Sequence, residues 1–166
     1  DLLNLKLDES ATYFKENEMK FDLHTHHERC GHAAGTIRDY IEAALDRGLG
    51  VIGISDHAPY FAHELAQPFP KIAMGRNALP SYVAEVLSLQ EEYRGRIEVL
   101  LGLESDFFPE SAEIYRKYLR KYPFDYIIGS VHHTNGISIF NKQRWKALSG
   151  AQIVSEKETY YDLVMQ

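Results

Sequence analysis

The sequence holds a single cysteine, Cys30, among 166 residues. No intrachain disulfide can form, so stability has to come from packing, and a reducing, cytoplasmic setting is expected. No uninterrupted apolar run approaches the roughly 18 residues that a membrane span requires. Positive charge is scarce as well: 18 Lys and Arg stand against 24 Asp and Glu, a formal net charge of -6. Such a balance argues against a nucleic-acid surface or an anionic membrane as partner. Low-complexity tracts and internal repeats of roughly 20–50 residues are also missing, which excludes solenoids and arrays. What remains is one domain's length of ordinary globular composition, enough to bury a proper core.

Residues 1–18, DLLNLKLDESATYFKENE, are acidic and interrupted by charge, unlike a secretory signal. Met19 stands just before the first convincing strand and reads as the natural start. Residues 1–18 are then an N-terminal extension or an added segment, the competing expectation being a short helix packed on the domain.

From residue 20 onward strands and helices alternate. Strands are expected at 20–24 (KFDLH), 51–55 (VIGIS), 97–104 (IEVLLGLE) and 124–132 (FDYIIGSVH), from their β-branched and apolar content. The first helix, capped by Thr36 and closed by Gly48, carries Ile37, Tyr40, Ile41, Ala44 and Leu45 on one stripe. The second runs from about Pro80 to Arg94, with Val83, Val86, Leu87 and Tyr93 inward and Gly95 at its end. The third spans 111–121, with Ile114, Tyr115, Tyr118 and Leu119 inward, and a last helix over 151–165 presents Ile153, Tyr160, Tyr161 and Val164. Such alternation with short connections implies an α/β fold with a parallel sheet and right-handed crossovers. Four βα units are too few to close a parallel barrel, which commonly takes about eight strands. The chain is therefore a small open sheet or part of a barrel.

Chemistry-bearing residues collect at the strand ends, where parallel folds place their functional loops. The first expected strand ends in His24 and His26, the second in Asp56 and His57, the third in Glu104 and Asp106, the fourth in His132 and His133. A lone histidine there is ordinarily a structural hydrogen-bonder; agreement among all four strands points to a metal centre. His24 and His26 are two apart, so on an extended strand they face the same side and can reach one ion. His27 faces the opposite way and reads as structural, and Cys30 as lining its loop. Nitrogen and oxygen donors without paired thiolates suit Zn, Mn or Fe. Asp22 and Asp56 read as carboxylates that orient ligand imidazoles by accepting their distal N–H. Glu104, with two oxygens, is a natural bridge between two ions. Arg29 and Arg76 are candidates to hold a phosphate, with plain surface solvation as the alternative for each.

The four motifs DLHTH (22–26), SDH (55–57), GLESD (102–106) and GSVHH (129–133) stand in the order of the polymerase and histidinol phosphatase (PHP) family. The stretch from Asp22 to Tyr60 resembles its histidinol-phosphate phosphatase branch in particular, and the resemblance covers residues 19–166. It implies a distorted (β/α)7 TIM-like barrel carrying two or three divalent ions at its C-terminal rim. It further implies His24, His26 and Glu104 as ligands of one ion, Glu104 and His132 as ligands of a second, and His32 with His57 at a third. Glu104 and His132 would stand at the reacting centre, where a metal-activated hydroxide attacks phosphorus. The implied activity is that of a metal-dependent phosphomonoesterase acting on a small phosphate ester, L-histidinol phosphate in histidine biosynthesis. The same motifs leave open another phosphoester substrate, or a half-barrel that works as an assembly or folding unit. Members of the family also carry a later histidine and a closing Asp-x-His pair, whereas this sequence stops at Gln166 before either. The expectation is a fragment of a longer enzyme, or a barrel completed by another polypeptide such as a second copy.

Overall fold

The structure is a computed structural model that describes residues 20–166. The expectations for Met19 and for residues 1–18 lie outside the described residues.

Strands β1 (Phe21–Asp22), β2 (Val51–Ile54) and β3 (Glu98–Leu101) form a parallel sheet in that order, with Phe21 opposite Val51 and Ile52 opposite Val99. Strands β4 (Glu104–Asp106) and β5 (Ile128–Ser130) form a second parallel pair. Backbone hydrogen bonds join the two groups. Ala58 N–H donates to the Glu104 carbonyl at 2.8 Å, Glu104 N–H to Asp56 at 3.1 Å, and Ile128 N–H to Leu103 at 2.9 Å. The result is one curved run of parallel staves, a portion of a TIM-like barrel.

Each helix forms for a legible reason. In α1 (Ile37–Asp46) the Thr36 hydroxyl accepts from Asp39 N–H while the Asp39 carboxylate accepts from Thr36 N–H, a reciprocal cap that satisfies two orphan donors. Helix α2 (Leu79–Glu92) starts with Pro80 in its first turn, where a missing N–H costs nothing. Their buried faces, Ile37, Ile41 and Ala44 from α1 and Leu79, Val83, Val86 and Leu89 from α2, close over Ile52, Ile54, Val99 and Leu101 of the sheet. Full burial of each such aliphatic side chain contributes about 1.5–3 kcal/mol. Helix α3 (Ala112–Leu119) adds Tyr115 to the same core. No helix among the described residues is long and apolar enough to cross a membrane.

Several expectations need correction. The strand expected over 97–104 is interrupted at Gly102 and Leu103, giving β3 and β4. At this point Tyr126 packs close, its ring lying where a Cβ on Gly102 would stand 2.2 Å from its Cζ and a Cβ on Gly53 would stand 2.0 Å from its hydroxyl. Its hydroxyl donates to the Leu23 carbonyl at 2.7 Å, so one side chain spans three staves from inside the curve. The strands expected over 20–24 and 124–132 shrink to β1 and β5. Past β5 the chain turns instead into an antiparallel hairpin, β6 (His133–Thr134) and β7 (Ile137–Ser138), through Asn135 and Gly136, both with positive φ. Leu87 and Ile114 were expected inward but are exposed, because they flank the stripes centred on Val86 and Tyr115. A short helix α4 (Lys142–Lys146) precedes α5 (Gly150–Val164), and α5 turns Ile153, Tyr160 and Leu163 inward while Tyr161 and Val164 face solvent.

Gly102→Ala should therefore destabilise the chain by about 1–3 kcal/mol through overpacking against Tyr126. Urea unfolding followed by circular dichroism measures it; an unchanged midpoint would mean that Tyr126 does not occupy that space.

Candidate metal centre

The scaffold brings the strand ends together around one carboxylate. Glu104 is 2 % exposed, and its backbone is fixed on both sides by the hydrogen bonds to Asp56 and Ala58. Its Oε2 lies 3.0 Å from His24 Nε2, 3.1 Å from His26 Nε2 and 3.4 Å from His57 Nδ1. Its Oε1 lies 3.5 Å from His132 Nε2 and accepts from the Ser130 hydroxyl at 2.5 Å. His24 and His26 converge, their Nε2 atoms 3.2 Å apart, although β1 ends at Asp22 and the two stand on irregular backbone. That backbone is held against β2 by Thr25, whose hydroxyl donates to Gly53 O and whose N–H donates to the Ser55 hydroxyl.

Four groups of donors, each within 4.8 Å of one another, draw on these residues: His24 with His26 and Glu104; His57 with Glu104 and His132; His26 with His32 and His57; and His26 with Cys30 and Asp56. The first can be tested against an ion's dimensions. A tetrahedral ion with ligands at 2.0–2.1 Å spaces neighbouring donors about 3.3–3.4 Å apart. The three observed separations, 3.0, 3.1 and 3.2 Å, are close to that edge length. The donor set fits a small divalent cation.

Outer carboxylates hold the imidazoles. Asp106 Oδ1 lies 2.6 Å from His132 Nδ1, which turns the Nε2 of His132 toward Glu104. Asp106 also accepts from the Tyr60 hydroxyl at 3.0 Å. Asp56 lies fully buried between His27 Nδ1 at 2.6 Å and His26 Nδ1 at 3.5 Å. Neither contact is aligned as a directed hydrogen bond, so Asp56 acts through charge at short range. Asp22 differs from expectation: its carboxylate accepts from the backbone N–H of His24 at 3.0 Å, so it steadies the main chain at His24. His27 is buried against Tyr82, and Cys30 is buried with its thiol 3.0 Å from the His27 carbonyl and 3.9 Å from His32 Nε2.

The electrostatics follow from this crowding. Burial works against charging His26, yet the nearby Asp56, Cys30 and Glu104 side chains outweigh it and raise its pKa to about 11. Burial, with His26 and His132 as positive neighbours, lowers His57 to about 4 against the pull of Glu104, so His57 offers a free lone pair at neutral pH. Burial opposes ionisation of Glu104 and Asp56, but their histidine partners hold both well below the usual carboxylate range. His132 is raised, chiefly by Asp106, and the Tyr60 phenol is raised by burial and by Asp106, which keeps it a donor.

A cavity of about 390 Å³ opens over the cluster, lined by His24, His26, His32, His57, Glu104 and His132, and by His133 as well. Neither Arg29 nor Arg76 lines it. Arg29 pairs with Glu85 at 2.5 Å and contacts His27, while the Arg76 guanidinium donates to the carbonyls of Phe61, His63 and Glu64. Tyr60, Lys71, Ile72, Ser138 and Phe140 complete the lining, and none of the five was among the residues expected at the site. Only Tyr60, three residues after the SDH motif, stood beside a signal that could have found it.

Residues 22–164 match the PHP domain. The chain belongs to the PHP domain family. A probable histidinol-phosphatase of Deinococcus radiodurans is 37% identical over 143 residues, covering 86% of this chain and 54% of that protein. The histidinol-phosphatase of Bacillus subtilis is 36% identical over 118 residues, 68% of this chain and 44% of that one. Among solved structures, the Lactococcus lactis histidinol phosphate phosphatase, complexed with Zn, L-histidinol and phosphate, superposes with a TM-score of 0.62 at 26% identity, over 74% of this chain and 44% of that one. This PHP chain thus spans about half the length of the curated relatives it matches.

Because Asp56 is depressed below its unfolded value of about 3.9, its stabilisation is present at pH 7 and is lost as pH falls from that value toward the folded one. The metal-free chain should lose urea stability on acidification below about pH 4, and Asp56→Asn should flatten that slope. Parallel stability–pH curves for the two proteins would contradict it.

Proposed function

We propose that this chain carries the metal-binding half of a divalent-metal-dependent phosphomonoesterase whose substrate is L-histidinol phosphate, released as L-histidinol and phosphate. The observation that carries this reading is the convergence of four imidazoles on the two oxygens of Glu104. His24, His26 and Glu104 would hold one ion, His57, Glu104 and His132 a second with Glu104 shared, and His32 would join His26 and His57 at a third position. Zn is the ion named for the Lactococcus lactis relative, and Mn or Fe would also suit these donors. Divalent ions here supply Lewis acidity, lowering the pKa of water and offsetting charge on phosphate oxygens.

The chain's own residues set up the rest. Asp106 fixes His132 in one orientation, and Tyr60 keeps its proton and can donate to an oxygen in the cavity or to Asp106. Phe140, with its ring 5.6 Å from that of His132, gives the cavity an apolar wall against which an imidazole-bearing alcohol can lie. A cytoplasmic setting suits a chain whose one thiol is buried and free.

A second reading has its own observation. Among the described residues β5 pairs only with β4, and Ile127, Val154, Tyr161 and Val164 are exposed apolar groups. Such an edge invites another strand, and the chain would then be an assembly unit that works when a further polypeptide covers it.

Phosphate release from L-histidinol phosphate by the metal-loaded chain tests both. We expect turnover above that of an aryl phosphate, abolished by chelation and lowered about a hundredfold or more by Glu104→Gln. Specific activity that rises steeply with protein concentration would favour the second reading. No release at any concentration would overturn the first.

A further inference from the structure

We infer that Lys71 is the phosphate-recognising cation of this site, an inference that rests on the phosphomonoesterase reading above. Among the described residues, Lys71 is the one lysine or arginine lining the cavity over Glu104. A phosphate monoester brings about two negative charges, and the two arginines that the sequence offered for it are committed elsewhere, Arg29 to Glu85 and Arg76 to three carbonyls.

Lys71 is exposed, but the turn that carries it is pinned from three directions. Gly31, with φ of 78°, lies so close to it that a Cβ would stand 2.0 Å from the Pro70 carbonyl oxygen and 3.1 Å from Lys71 Cα. The histidine-rich segment between His24 and His32 is therefore packed directly against the backbone of this turn. Ile72 and Ala73 both donate to the Phe69 carbonyl, at 3.0 and 3.1 Å, and Ala73 and Met74 are buried. Beyond them Arg76 clasps the loop at Phe61, His63 and Glu64, which closes the 61–76 segment on itself. A flexible lysine on a fixed turn at the mouth of a histidine- and carboxylate-lined cavity can follow phosphate oxygens that the imidazoles, as metal donors, cannot contact directly. It meets them as a mobile point charge.

The probe is inorganic phosphate, titrated calorimetrically into the zinc-loaded chain, with zinc content measured on every variant. Lys71→Gln should keep its zinc and bind phosphate about tenfold more weakly, the loss expected for one hydrogen bond to a charged group. Lys71→Arg should recover most of the affinity, and the gap between wild type and Lys71→Gln should narrow as salt rises, since the contact is exposed to screening. Equal phosphate affinity in wild type and Lys71→Gln would overturn the assignment while leaving the phosphomonoesterase reading intact, to be judged by phosphate release. A zinc-loaded wild type that binds no phosphate would overturn the assignment and count against that reading too. Loss of zinc from Lys71→Gln would also overturn it, because the residue would then belong to the metal centre.

Discussion

A buried carboxylate is the constraint on which the rest of this structure depends. Glu104 is withdrawn from water, where an unpaired charge costs several kcal/mol. Its two oxygens are compensated by His24, His26, His57, His132 and the Ser130 hydroxyl, which arrive from three separate segments of the chain. No local structure could assemble such a set. The parallel staves must be in register for it to exist, and conversely the cluster rewards that register. The mutual attraction is more than structural, because two imidazole nitrogens and a carboxylate oxygen at 3.0 to 3.2 Å compete for positive charge at their common centre. The raised pKa of His26 is in keeping with that demand.

The scaffold shows how little bulk the inner face of the curve tolerates. Tyr126 spans from β5's approach to the Leu23 carbonyl across Gly53 and Gly102, beside the point where the third strand is interrupted. That break is useful to the site. It lets β4 start afresh at Glu104, pairing with β5 and with the chain beyond β2, so that Glu104 stands at the meeting of three segments. From the outside, Tyr82 sets its buried hydroxyl within 2.8 Å of the Ile54 and Gly102 carbonyls, and steadies the same junction.

Much of this was legible in the amino-acid order. The alternation of strands and helices and the Thr36 cap follow from short-range rules. The convergence of His24 and His26 was expected on strand geometry and occurs without it, since the strand has ended by Asp22. The close approach of Tyr126 to Gly102 was not legible, because the ring stands more than twenty residues away in the chain. The hairpin through Asn135 and Gly136 was legible in principle, as Asn-Gly is a strong turn signal, but the apolar run before it read as one continuous strand. Asp106 was placed at the rim without a role, and its task of orienting His132 needed the tertiary structure. The same holds for the arginines: Arg29 and Arg76 looked free in sequence and are bound to partners 56 and 12 to 15 residues away.

The central claim is that this chain, which spans about half the length of the curated relatives it matches, already forms a specific divalent-metal site around Glu104. Elemental analysis of the untagged protein purified without chelators tests it most directly, with Glu104→Gln purified in parallel. The account predicts stoichiometric divalent metal in the wild-type chain and only background metal in Glu104→Gln, with both proteins folded by circular dichroism. A folded wild-type chain that carries no more metal than Glu104→Gln would contradict it.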